Sequence, residues 1–200
     1  MMLIEETSVP QAALPVDEFK AHLRLGTGFS DGDIQDAVLE SFLRASLAAL
    51  EARTGKIFIT RSFSWVLSAW RDVTGQPLPV APIDTVTAVI LVDHSGTPTA
   101  AAADKYFLAK DAHRPVLKPV GNSLPNIPTN GTVEVDFVAG MGPDWGALPA
   151  DLGHAVLLLA AHYYEYRHET TLKDSALPYG VSSLIERYKN VRIFGGGSVR

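Results

Sequence analysis

The chain has 200 residues, no cysteine, a formal net charge of −5 and 46% hydrophobic residues. The missing cysteines exclude disulfides, thiolate metal sites and cysteine nucleophiles, and the acidic balance argues against a general nucleic-acid binder. The longest fully apolar run is about seven residues, against roughly 20 needed to span a bilayer, so no membrane partner is expected.

Residues 1–14 read as irregular. Met1 to Ser8 has no basic segment and carries two glutamates, so it is not read as a secretory signal, and a cytoplasmic product is expected. A short helix is predicted from about Pro15 to Leu25, with Val16, Phe19 and Leu23 on one face, stopped by Gly26. A longer helix follows over Ser30–Thr54. Ser30 with Asp33 resembles a capping box. Its apolar face runs through Ile34, Val38, Phe42, Ala45 and Ala49, widened by Leu39, Leu43, Leu47 and Leu50. Residues 1–54 hold nine acidic and four basic side chains, which reads either as a solvated helix face or as an acidic surface used in assembly.

At Lys56 the pattern changes to period two. Ile57, Ile59, Phe63, Trp65, Leu67 and Ala69 predict one bent strand or two. Pro77–Pro82 reads as an extended link, because proline cannot donate to a ladder. Val86, Ala88, Ile90 and Val92 alternate into an Asp93–Gly96 turn, Ala100–Ala103 is a connector, and short strands are predicted at Tyr106–Leu108 and Val116–Leu117. A loop from Pro119 to Gly131 leads to the strand of Val133, Val135 and Phe137. Gly140, Gly142, Pro143 and Gly146 break that strand. The most apolar helix of the chain follows from Pro149 to His168, with Leu152, Val156, Leu159, Tyr163 and Tyr166 on one face. Glu169–Ala176 is a polar loop. Val181, Leu184, Ile185 and Tyr188 mark a last short helix before a tail with four basic and no acidic residues from Arg187 onward.

The fold class expected is α+β: a bundle of about four helices with a small antiparallel β-region inserted. The chain is read as a single domain, helical over 15–55 and 148–188, with the β-insertion at 56–139 and a C-terminal docking tail at 189–200.

No catalytic constellation stands out. Glu165-x-x-His168 has the spacing of a di-iron ligand pair, but no second pair exists. Asp93-His94-Ser95 is consecutive, whereas triads assemble in space. Gly140-x-Gly142-x-x-x-Gly146 misses the dinucleotide spacing by one. No cofactor is expected. Trp145, in a glycine-proline loop, is a candidate interface residue. Bulky apolar residues in a basic, glycine-rich tail point to ordering against a partner.

Several stretches, in their order along the chain, resemble the head–tail connector (adaptor, or head-completion) proteins of tailed bacteriophages and gene transfer agents. They are Leu50-Glu51-Ala52-Arg53-Thr54-Gly55 before the β-region, Leu78-Pro79-Val80-Ala81-Pro82 with the strand after it, and Val133–Gly140 with the helix ending Tyr164-Glu165-Tyr166-Arg167. The last is Leu177-Pro178-Tyr179-Gly180-Val181 with Tyr188-Lys189. Arg187-Tyr188-Lys189 departs from the proline-aromatic-arginine ending commoner there.

The resemblance implies a non-enzymatic structural protein of the virion or phage-like particle, in its neck, assembled in the bacterial cytoplasm. Such adaptors form a ring of roughly twelve subunits under the portal protein. The ring extends the DNA channel and offers a surface to a stopper or tail-terminator protein. DNA would pass without sequence-specific binding, since an acidic lining gives phosphates no grip. On this reading Arg187, Lys189, Arg192, Ile193 and Phe194 contact the portal, Tyr188 joins Trp145 at an interface, and Asp36 and Glu40 face the channel. Two alternatives stand beside it: a small cytoplasmic ligand-binding module, or a metal-dependent hydrolase using His154, His162, Glu165 or His168.

Overall fold

The structure, a computed structural model, describes residues 1–25, 32–167 and 177–189. Its helices are α1 (Val16–His22), α2 (Gly32–Thr54), α3 (Ala150–Glu165) and α4 (Tyr179–Ile185). Its strands are β1 (Met2–Glu5), β2 (Arg61–Leu67), β3 (Gln76–Pro77), β4 (Ile83–Val92), β5 (Pro98–Ala100), β6 (Tyr106–Ala109), β7 (Val116–Pro119) and β8 (Thr132–Ala139). Ser30, and the side chains of Asp33 and Ile34, lie outside the described residues. Among the described residues no helix is long and apolar enough to cross a membrane.

The helices share one core. Leu39, Leu43, Leu47 and Leu50 stack along α2 and meet Leu152, Ala155, Val156, Leu159 and Ala160 of α3, with Phe19, Val181 and Ile185 closing the ends. Each such leucine contributes about 1.5–3 kcal/mol by leaving water. The two alanines let α3 approach its neighbours closely, so this helix is buried on more than one side. The face of α2 is rotated from the expected one: Val38 and Ala45 are exposed, because the four leucines fill the seam with α3.

The strands form two antiparallel sheets, one in the order β1-β2-β8-β4-β5 and one in the order β3-β7-β6. β8 sits in the middle of the larger sheet. Val133, Val135 and Phe137 turn inward beside Trp65, Phe63 and Val89, and Leu78, Leu117 and Leu124 cover them from the smaller sheet's side.

This overturns the expected helical bundle with a small β-insertion. The β-region has its own buried cluster of 13 residues beside the 17 of the helical cluster. Nor is it simply inserted, since its edge strand β1 precedes all the helices. Only α2 and α3 are long; α1 and α4 have seven residues each. β1 was invisible to pattern reading because its four residues are all exposed, so no inside–outside alternation marks it. β5 falls partly in the expected connector because its small side chains are also exposed.

A buried ion pair joins the helical core to the sheet. Glu51, near the end of α2, accepts from the Phe58 backbone N–H (2.7 Å) and from Arg61 Nη2 (2.8 Å) at the start of β2. Arg61 Nε lies 3.0 Å from Glu5 Oε1 of β1, and its guanidinium covers the Phe63 ring. Burial pushes the Glu51 carboxyl up, against the opposing pull of Arg61 and the Phe58 N–H. A raised carboxyl stabilises the fold below the ordinary carboxylate range and loses that contribution as pH rises through its folded value.

Removing one partner strands a buried charge. Glu51→Ala should therefore lower stability by about 3–5 kcal/mol in urea denaturation, and Glu51→Leu with Arg61→Met should recover much of the loss. Glu51→Gln, which keeps an acceptor for Phe58, should abolish the Glu51 part of the decline in stability with rising pH.

Candidate docking surface around Tyr188

The last described turn packs on the start of α3. α4 begins after Pro178, buries Val181 and Ile185, and tightens into a 3₁₀ turn at Glu186–Tyr188. That tightening lets Tyr188 reach back. Its hydroxyl donates to Asp151 Oδ1 at 2.8 Å, and Arg187 Nη2 lies 2.9 Å from Asp151 Oδ2. Arg187 also donates to the Tyr188 hydroxyl and its guanidinium stacks 4.7 Å from the ring centroid. Asp151, in the first turn of α3, complements the helix dipole and holds the C-terminal turn as well. Burial raises the Tyr188 phenol, opposed by Arg187, and the Tyr188 and Asp151 contacts raise the Arg187 guanidinium.

Beside this turn is a cleft of about 450 Å³ lined in part by Lys56, His113, Met141, Pro149, Arg187 and Tyr188. Lys56 Nζ donates to the Ala112 carbonyl, and burial lowers its pKa against the opposing charge of Asp111.

The structure brings together Arg187, Tyr188 and Lys189, whose ammonium pairs with Glu186. Arg192, Ile193 and Phe194 lie outside the described residues. Trp145 sits nearby on the loop before α3, half-buried. Its indole N–H donates to Glu18 of α1 at 2.9 Å, and its ring lies over Gly153. It therefore ties α1 to α3 within the chain. Asp36 pairs with Lys20 at 2.5 Å and Glu40 with Arg44 at 2.7 Å. Each expected channel carboxylate thus has a cation beside it, which net charge counted along the sequence does not reveal.

The other chemistry candidates resolve into local structure. Asp93 Oδ1 accepts from the N–H groups of Ser95 and Thr97 and from the Ser95 hydroxyl, which closes the turn. The His162 ring lies tilted against Tyr166, and the His154 ring meets His22 edge-on. His168 lies outside the described residues. Among the described residues no group of three His, Asp or Glu is placed to hold a metal ion. The glycine loop serves packing: a Cβ on Gly140 would fall 2.3 Å from Thr60 Cα, and one on Gly142 would fall 2.2 Å from Ala147 Cβ.

No family model and no curated protein sequence matches the chain. Solved chains do match, three among them as follows. One, from the neck of an empty gene transfer agent particle computed with C6 symmetry, is 53% identical over 98% of this chain and 99% of its own, with a TM-score of 0.89. A second, from the neck of a native particle computed with C12 symmetry, is 50% identical over 98% and 99%, at 0.84. A third, from the virion of the native particle, is 54% identical over 98% and 99%, at 0.86.

Tyr188→Phe removes one donor from Asp151. It should lower stability by about 0.5–1.5 kcal/mol and speed amide exchange over Glu186–Lys189 without changing exchange in β8.

Proposed function

We propose that this chain, which belongs to the head–tail connector (adaptor, or head-completion) family of tailed bacteriophages and gene transfer agents, is a structural neck protein of a gene transfer agent particle. Its copies form a ring beneath the portal, extend the DNA channel and present a surface to the stopper or tail terminator. The observation that carries this reading is 50–54% identity along nearly the whole chain to chains of such particles. The C12 symmetry of one of those necks supports a ring of about twelve copies.

The geometry fits a role without chemistry. Asp151 holds Arg187 and Tyr188 against the start of α3, at the root of the proposed docking tail. Arg187, Lys189, Arg192, Ile193 and Phe194 make the portal contact: apolar anchors in a basic segment, held at the root by packing. Asp36 and Glu40 are the channel-facing pair, and their cations lower the acidity they present to DNA. Tyr188 serves the interface through the Arg187 stack, and Trp145 serves it by fixing the loop beside the cleft.

Replacing Ile193 and Phe194 with serine should leave the thermal midpoint of the purified chain unchanged and abolish tail attachment. In electron micrographs of producing cells, DNA-filled heads should accumulate beside free tails. Normal tailed particles would free these residues from docking.

A further inference from the structure

The two sheets pack face to face around one core, so each has an outer face, and these faces point away from each other. On the larger sheet the register puts Ile4, Ser64, Asp136 and Ala88 in one outward row, and Met2, Val66, Glu134 and Ile90 in the next. None of these apolar residues joins either buried cluster; Met2 is 57% and Ile4 37% exposed. A solvent-facing antiparallel sheet is normally polar, whereas this one is an apolar patch with two carboxylates at its centre. Among the described residues neither Glu134 nor Asp136 has a cationic partner; Glu134 accepts only the Ser64 hydroxyl. Burial, Glu134 and Glu6 push the Asp136 carboxyl up.

The smaller sheet has the opposite character. Phe107 lies opposite Lys118 on its outer face, and Lys105 lies opposite Val120. Phe107 is 48% and Val120 64% exposed, and neither lysine pairs with a carboxylate among the described residues.

Resting on the ring reading above, we infer that these two faces bind each other between copies: the Met2–Ile4–Val66–Ile90 face, with Glu134 and Asp136, docks on the Phe107–Val120 face, with Lys105 and Lys118, of a second copy of this chain. A ring needs a head-to-tail contact between two different surfaces of one chain. With twelve copies, successive subunits turn by only 360°/12, about 30°, so the two surfaces must lie on nearly opposite sides, as these do. Apolar area meets apolar area, and unpaired carboxylates meet unpaired ammonium groups. The three-stranded face spans only about 14 by 13 Å, smaller than a standard interface. A single pair of copies is therefore weak, and ring closure supplies the rest.

The cysteine-free chain allows a direct test. A full-length variant with Ile4→Cys and Phe107→Cys, incorporated into particles, should give a ladder of multimers with a short bismaleimide, and each single variant should give none. A lysine-reactive cross-linker on unmodified particles reports the ring without reference to these faces. Lysine ladders without cysteine ladders overturn the interface and leave the ring standing. No ladder of either kind removes the ring reading itself. A cysteine product containing a different protein assigns the faces to that partner and overturns the inference. If the cysteine variant does not enter particles, charge reversal decides. Lys105→Glu with Lys118→Glu should cut tailed-particle yield by about tenfold or more, and adding Glu134→Lys with Asp136→Lys should restore it. An unchanged yield, or a loss without restoration, overturns the inference.

Discussion

The structure turns on one buried ion pair. Glu51 and Arg61 are the point at which a helical layer and a β-layer with separate cores become one body. Desolvation makes such a pair a poor source of net stability, and the raised Glu51 carboxyl shows that burial outweighs Arg61 there. Its contribution is geometric. Glu51 holds the Phe58 N–H and Arg61 together, which ties the turn after α2 to the start of β2. Arg61 extends the same network to Glu5, which seats β1 at the sheet edge. The direction in which the β-layer leaves the helices is thus set by charge–charge and charge–amide contacts, with apolar packing filling in on either side.

A second joint closes the other end. Ile59 bridges to Gly142, and the Thr60 N–H donates to the Gly142 carbonyl, so the residues leading into β2 and the loop before α3 run together just before Arg61. The two glycines permit this approach, and Trp145 then fastens the loop to α1. The chain therefore enters and leaves the β-layer within a few residues of the same place. That arrangement leaves the two outer sheet faces uncovered by the helical core.

The legible parts of the fold were those in which one period dominates over three or more turns or over a whole strand. α2, α3 and β8 announce themselves through leucine, alanine and valine spacing, and the shorter α4 shows only through Val181, Leu184 and Ile185. The phase of the α2 face was less legible, because Val38 and Leu39 compete for it and only the partner helix decides. β1 and β5 were illegible for a physical reason: a short strand exposed on both faces has no burial pattern to read, and register with a distant strand makes it a strand at all. Of the candidate site, Arg187, Tyr188 and Lys189 could be found from composition at the chain's end. Asp151 as their anchor could not, since 37 residues separate it from Tyr188. Trp145 stood out as an interface candidate; its contact with Glu18 inside the chain depends on a fold that no local window contains.

Where the negative charge is left unpaired matters more than the net value. Counted along the chain, the acidic excess of the first 54 residues looks like the main electrostatic feature. In the folded chain Lys20 neutralises Asp36, Arg44 neutralises Glu40, and Arg61 neutralises Glu51. Glu134 and Asp136, without a cationic partner among the described residues, lie instead side by side on β8, facing outward among valine and isoleucine. Two like charges held together on an apolar face raise the free energy of the isolated subunit, and an approaching cationic surface lowers it. A protein that must wait for its neighbours before assembling gains from that arrangement. Electrostatic strain is low along α2, where DNA is proposed to pass, and is concentrated where another copy of the chain would relieve it.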